Sequence, residues 1–152
     1  MIAEKGRESM TMQDLTPTIE YFNSNDRVLM AFVFGSWAKG HAGDDSDVDV
    51  AVYIKRVEQN PEGEAEDLFS KHIQDIWADM ERMTGREVDL VVLNDAAPTI
   101  AASALQGIPI VIKDRRLYLD FLLRVSGEAA DYRAWVESFW TIKQGYIHET
   151  SA

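Results

Sequence analysis

Cysteine and long apolar runs are both missing from this sequence. Without cysteine the chain can form neither disulfides nor thiolate metal sites, so any metal ion would have to be bound by oxygen or imidazole ligands. No segment approaches the roughly 20 apolar residues that span a membrane, and residues 1–15 lack the apolar core of a secretory signal. We therefore expect a cytoplasmic protein that has no membrane partner.

Positive charge is also scarce. The chain has 15 lysines and arginines against 26 aspartates and glutamates, which gives a formal net charge of -11 at pH 7. A protein with this excess of negative charge repels phosphodiester backbones, because its field has the same sign as theirs. The balance argues against direct binding of nucleic acid and favours a neutral or basic partner.

The remaining composition is typical of an ordinary folded domain. The chain has 152 residues, of which 46% are hydrophobic. That is enough to bury a core without a disulfide or a metal staple. Residues 1–12 are polar and aperiodic, and we expect them to form a flexible tail. No repeat or linker divides the rest, so residues 13–152 are predicted to form a single domain with helices at its C-terminus.

The periodicity of the apolar residues predicts an α/β (α+β) fold, in which helices pack on a small mixed β-sheet. The proline of the last predicted strand points to an edge position. Asn94 and Asp95 are expected to cap the helix that follows them. Strands are predicted at 28–34, 47–54, 87–93 and 108–113, and helices at 16–22, 62–84, 98–106 and, with a break near Ser126 and Gly127, 115–147.

Acidic residues crowd into the start of the second predicted strand. Residues 32–54 read FVFGSWAKGHAGDDSDVDVAVYI, so a buried strand is followed by Gly-Ser, a loop and then Asp47 and Asp49. Alternate side chains of a strand share one face, so these two carboxylates point the same way while the intervening valines face the core. Such crowding is unfavourable unless something compensates the repulsion.

The third predicted strand carries a similar pattern. Asp89 and Glu87 alternate with Val88 and Leu90, which places both carboxylates on one face. If the second and third strands are neighbours, three carboxylates meet there, with Asp89 or Glu87 as the third. A divalent cation would compensate the repulsion, and oxygen ligands select Mg²⁺ or Mn²⁺ over zinc. Phosphoryl and nucleotidyl transfer are the reactions that use such sites.

Gly35 and Ser36 add an anion-binding feature. A glycine at the end of a strand lets the backbone approach a ligand, and the amides and hydroxyl that follow can bind phosphate oxygens. Taken alone, Gly-Ser is usually a turn, the acidic stretch is usually a solvated loop, and Asp89 is usually a charge at a strand edge. The ordered combination instead indicates a site for a metal ion and a nucleoside triphosphate.

These residues resemble the signature of the nucleotidyltransferase superfamily related to DNA polymerase beta. The resemblance rests on Gly35, Ser36, Gly40 and the run 46–50. The segment 85–114 is similar to the minimal nucleotidyltransferases, or MNT proteins, that act as antitoxins to HEPN-domain ribonucleases. The resemblance implies a nucleotidyltransferase fold and a Mg²⁺-dependent transfer of AMP from ATP to a tyrosine of the partner toxin.

The resemblance also implies a role for each site residue. Gly35 and Ser36 would bind the triphosphate, Asp47 and Asp49 would hold the metal ions, and Asp89 would be the third metal-binding carboxylate and the base for the attacking hydroxyl. Two other functions stay open. One is a small-molecule adenylyltransferase of the aminoglycoside type, although few residues follow the last strand to bind such an acceptor. The other is a non-catalytic antitoxin that acts by binding alone.

Overall fold

The computed structural model describes residues 15–38, 47–56 and 64–150. The predicted tail and the loop 41–46 lie outside these ranges, as do the side chains of residues 139–150. Within the described part, no helix combines the length and the apolar character that a membrane span requires.

In the part of the chain that the structure describes, four strands form one mixed sheet with the order β3-β2-β1-β4. The central strand β1 pairs antiparallel with β2 and with β4, whereas β2 and β3 run parallel. The apolar run VLMAFVF forms β1 because both faces of that strand are covered, and nearly all of its side chains are buried. The proline-containing strand lies at an edge, as predicted. The strands are β1 (Val28–Phe34), β2 (Val48–Ile54), β3 (Val88–Val92) and β4 (Ile108–Ile112).

Within the described ranges, four α-helices complete the mixed α/β fold that the sequence predicts. In α2, Ile76 and Met80 are fully buried at helical spacing, and Gly85 ends the helix with a φ of 64°. A short 3-10 helix, Leu93–Asp95, follows β3. The α-helices are α1 (Thr16–Ser24), α2 (Glu64–Thr84), α3 (Pro98–Leu105) and α4 (Arg115–Thr150).

The two faces of the sheet belong to two hydrophobic clusters. On the first face, Val50 and its alternate neighbours in β2 lie in one cluster with Phe22 of α1 and Met80 of α2. On the second face, Ala51 lies in a cluster with Phe121 of α4 and with residues of α3. Because side chains alternate along a strand, the odd-numbered positions of β2 belong to the second face. Asp49 therefore shares its face with Ala51, on the side of α3 and α4.

The predicted break near Ser126 and Gly127 is wrong, because α4 is continuous through both residues. Glycine in a helix interior costs about 1 kcal/mol relative to alanine. Here the residues on either side stabilise the helix, since Phe121 and Val125 are buried in the second cluster and Ala129 is also buried. A side chain at Gly127 would meet nothing within 4 Å, so the glycine lies at an open position.

The predicted capping role of Asn94 and Asp95 is also wrong. The N-cap of α3 is Ala97, which makes no side-chain hydrogen bond to the helix. Instead, Asn94 Oδ1 accepts from the backbone N–H of Ile54 at 2.9 Å and its Nδ2 donates to the carbonyl of Ile54 at 2.7 Å. Asp95 forms an ion pair with Arg56 at 2.5 Å. Both contacts bind the segment after β3 to the end of β2.

Candidate active site

Strand pairing brings the predicted acidic residues together. Asp49 of β2 and Asp89 of β3 are direct partners in the parallel pair. Asp47 lies one residue before β2, and the next residue, Val48, donates its N–H to the carbonyl of Glu87 at 2.9 Å. We call Asp47, Asp49 and Asp89 the acidic cluster. It lies at the edge of the sheet where β2 and β3 begin.

The charges of this cluster act on one another. Partial burial raises the pKa of the Asp49 carboxyl above its ordinary value, and the charges of Asp89 and Asp47 raise it further. Glu87 is not among the groups that shift the pKa of Asp49. Of the two candidates for the third carboxylate, Asp89 is the one that pairs with Asp49 across β2 and β3 and whose charge raises the pKa of Asp49.

Gly35 lies directly against the acidic cluster. The residue before it, Phe34, pairs with Asp49 across β1 and β2. Gly35 has a φ of 71°, in the left-handed region that favours glycine. A Cβ atom at this position would overlap the Oδ2 atom of Asp49. Backbone conformation and space both require glycine here, and the missing side chain leaves room for the carboxylate.

The Gly-Ser segment forms a turn over residues 35–38, in which Ser36 is partly exposed. Residues 39–46, which follow this turn, lie outside the described ranges. The turn connects β1 to the loop that precedes Asp47. A backbone turn and a set of carboxylates thus face the same end of the sheet, which is the arrangement the sequence predicts for a triphosphate and its metal ion.

Residues 17–116 match the model of the polymerase beta nucleotidyltransferase domain. The match covers more than half of the chain. The chain belongs to the polymerase beta nucleotidyltransferase family. This confirms the predicted resemblance and the predicted nucleotidyltransferase fold. No curated protein sequence matches the chain significantly.

Solved structures with the same fold include several toxin–antitoxin complexes. A structure of a toxin–antitoxin with AMP-PNP matches with a TM-score of 0.61 and 16% identity, covering 87% of this chain and 97% of that chain. The MntA–HepT toxin–antitoxin matches with a TM-score of 0.60 and 15% identity over 86% and 97%. A structure of tri-AMPylated Shewanella oneidensis HEPN toxin in complex with MNT antitoxin contains a chain that matches with a TM-score of 0.60 and 15% identity. The match covers 87% of this chain and 97% of that chain.

The residues of this nucleotidyltransferase fit a magnesium ion that is shared with a nucleotide. Across the described ranges, no group of three or more His, Asp or Glu side chains is arranged so that it alone could hold a metal ion. Mg²⁺ does not need such a cage, because it is commonly bound by one or two carboxylates together with substrate phosphates and water. Asp47 and Asp49 offer hard oxygen ligands of this kind, and the Asp49 carboxylate lies directly against Gly35.

The sequence does not predict one contact beside the site, which joins Arg86 and Trp37. The guanidinium carbon of Arg86 lies 4.7 Å from the centre of the Trp37 ring. Trp37 follows Ser36 in the turn, and Arg86 lies two residues before β3. A stacked pair separated by about fifty positions leaves no local pattern in the sequence, so only the fold reveals it.

A second acidic region lies on the other face of the sheet. We call it the far cavity. It has a volume of about 480 Å³ between α1 and α2. The Tyr21 hydroxyl donates to Asp79 Oδ2 at 2.6 Å, and Arg82 pairs with Asp79 at 2.9 Å. Burial and this hydrogen bond raise the pKa of Tyr21. The cavity is lined by Tyr21, Ser24, Asn25, Asp26, Arg27, His72, Asp75, Ile76 and Asp79.

Proposed function

We propose that this nucleotidyltransferase is an antitoxin that transfers AMP from ATP to a tyrosine hydroxyl of a HEPN-type ribonuclease toxin. Mg²⁺, or Mn²⁺ in its place, is the metal ion, and the reaction takes place in the cytoplasm. Gly35 and Ser36 bind the triphosphate, Asp47 and Asp49 hold the metal ion, and Asp89 is the third carboxylate.

The observation that carries the proposal is the position of Asp49. Its carboxylate is in register with Asp89, lies against Gly35 and has a raised pKa. Mutual repulsion of this kind destabilises the fold unless a favourable interaction offsets it. A bound cation reverses the effect, since its positive charge favours the ionised form of each carboxylate. The arrangement therefore supports a site that is completed by a metal ion and its nucleotide.

The chemistry follows from these roles. The acceptor oxygen attacks the α-phosphorus of ATP, the bond from that phosphorus to the bridging oxygen breaks, and pyrophosphate leaves. Asp89 accepts the proton of the attacking hydroxyl, and the turn at Gly35 keeps the phosphates in line for the displacement. When bound, the metal ion supplies stabilisation of the negative charge that develops on the phosphate oxygens.

Two observations support a protein as the acceptor. The solved complexes with the same fold pair an antitoxin with a toxin, and one of them contains a tri-AMPylated HEPN toxin. The net charge of -11 favours a neutral or basic partner over nucleic acid.

The test is transfer of labelled AMP. The purified chain is incubated with Mg²⁺, with ATP labelled on its α-phosphate, and with the HEPN-type protein encoded by the neighbouring open reading frame. We expect label on a tyrosine of that protein. Asp89→Asn should reduce the transfer rate far more than it reduces ATP affinity, because the base acts on the acceptor and not on the bound nucleotide.

Other outcomes would assign a different function. Label that appears only on an aminoglycoside-type amine or hydroxyl compound would establish the small-molecule enzyme. Neutralisation of the toxin without any label, and without loss in the Asp47→Asn and Asp49→Asn variants, would establish an antitoxin that acts by binding alone.

A further inference from the structure

The stack of Arg86 on Trp37 connects two segments that carry different parts of the site. Trp37 directly follows Ser36 in the turn after β1, and Arg86 lies three residues before Asp89. Their side chains meet with 4.7 Å between the guanidinium carbon and the ring centre. An arginine at this distance from the centre of a tryptophan ring is attracted electrostatically to the ring face.

Trp37 and Arg86 are each held in place by another part of the fold. Trp37 is only 8% exposed and lies in the first-face cluster with Val88, the first residue of β3. The backbone N–H of Arg86 donates to Thr84 Oγ1 at 3.3 Å, and that hydroxyl donates to the carbonyl of Met80 at 2.8 Å. The end of α2 thus fixes the start of the Arg86 side chain, and the core fixes the ring.

We propose that Trp37 and Arg86 are positioning residues, which hold the Gly35–Ser36 turn at a fixed distance from the strand that carries Asp89. The inference rests on the proposed function, since it assigns the stack a role in placing the nucleotide phosphates. Neither side chain needs to contact the nucleotide. The stack acts through Ser36 on one side and through β3 on the other.

Another pair of an arginine and an aromatic ring provides a comparison within the same molecule. Arg124 lies 5.1 Å from the centre of the Phe121 ring, and both residues belong to α4. That pair connects neighbouring turns of one helix and joins no part of the site. Arg124→Gln is therefore a matched control, because it removes a similar contact without loosening the turn at Gly35.

The experiment measures the affinity for MgATP by titration calorimetry. Arg86→Gln and Trp37→Leu should each weaken binding about three- to tenfold, the size expected for one such contact. The double variant should bind MgATP no more weakly than the weaker-binding single variant does, because both changes remove the same contact. Trp37→Phe keeps an aromatic face and should stay within about twofold of the natural protein, and Arg124→Gln should bind as the natural protein does.

Thermal unfolding separates this role from a purely structural one. Arg86 is partly exposed, so Arg86→Gln should keep its melting temperature while losing affinity. If Arg86→Gln and Trp37→Leu bind MgATP as tightly as the natural protein, or if their effects simply add, the stack is no positioning device while the proposed function stands. If the natural protein does not bind MgATP at all, the proposed function fails, and this inference fails with it.

Discussion

The acidic cluster and the far cavity both bring carboxylates close together, and they differ in how the charges are balanced. In the far cavity, Asp79 accepts a hydrogen bond from Tyr21 and pairs with Arg82. In the acidic cluster, Asp49 has no hydrogen-bond donor and no cation among the described residues, and its nearest charged neighbours are Asp89 and Asp47. In the far cavity the charge of Asp79 is balanced by its neighbours, whereas in the acidic cluster no group of the described residues balances the charge of Asp49.

This difference separates structural carboxylates from those that serve a ligand. A carboxylate with a donor and a counter-charge stabilises the fold by itself. A carboxylate whose charged neighbours are other carboxylates does not stabilise the fold by itself. It contributes to stability only when a metal ion is bound. Substitutions in the acidic cluster should therefore mainly reduce activity, whereas substitutions in the far cavity should mainly reduce stability.

Activity should show the largest contrast. Asp49→Asn should lower the rate of AMP transfer by at least about a hundredfold, because a group that stabilises developing charge typically contributes that much. Asp79→Asn, the matched change in the far cavity, should leave the rate within about twofold, since Asp79 lies on the other face of the sheet. The rates are measured with α-labelled ATP and the proposed acceptor, the HEPN-type protein of the neighbouring open reading frame. Equal losses in both variants would show that the acidic cluster has no special role.

Stabilisation by ligand should give the next largest contrast. MgATP at about 100 times its dissociation constant should stabilise the natural protein by about 2.7 kcal/mol. The Asp79→Asn variant should gain as much, and Asp49→Asn should gain little. Thermal unfolding with and without MgATP measures these gains. A full gain in Asp49→Asn would mean that this carboxylate does not hold the ion.

Stability without ligand should change in the opposite sense. Tyr21→Phe removes the hydrogen bond to Asp79 and should cost about 1 kcal/mol of unfolding free energy. Asp49→Asn in EDTA should cost nothing or should stabilise slightly, because it relieves repulsion from Asp89 and Asp47. Denaturant unfolding of the three proteins is the measurement. A clear loss in Asp49→Asn would identify the carboxylate as a structural group.

The pH dependence of stability should show the smallest effect. Because the pKa of Asp49 is raised in the folded state, its protonated form favours folding at acid pH, and this contribution is lost as the pH rises through the folded pKa. In metal-free buffer, the melting temperature of Asp49→Asn minus that of the natural protein should therefore increase as the pH rises from acid to neutral. The raised pKa of Tyr21 acts in the same direction, but only at alkaline pH, above the ordinary tyrosine range. A constant difference across the acid range would contradict the assignment.

The sequence was sufficient for the parts of the molecule that depend on local spacing. Alternation along residues 47–54 predicted that Asp47 and Asp49 share a face, and the apolar run before Gly35 predicted the buried central strand. The pairing of Asp49 with Asp89 was conditional on β2 and β3 being neighbours, which the fold decides. The resemblance implied Asp89 as the third carboxylate and left Glu87 as its rival, and the register of the strand pair places Asp89 opposite Asp49.

The failures have a common physical cause, which is that tertiary packing overrode a local signal. Gly127 is a helix-weakening residue, but burial on either side of it keeps α4 continuous. Asn94 has the side chain of a helix cap, but it binds the backbone of Ile54 instead. The stack of Trp37 and Arg86 depends on two segments that only the sheet brings together.

The central claim is that the acidic cluster is an incomplete site, which Mg²⁺ and ATP complete together. Titration calorimetry of ATP into the natural protein, once with Mg²⁺ and once with EDTA, tests it most directly. The account predicts tight binding with Mg²⁺ and little or none in EDTA, because the carboxylates repel the triphosphate until a cation lies between them. The Asp49→Asn variant should lose most of the advantage that Mg²⁺ gives. Equal affinity of the natural protein for ATP in Mg²⁺ and in EDTA would contradict the account.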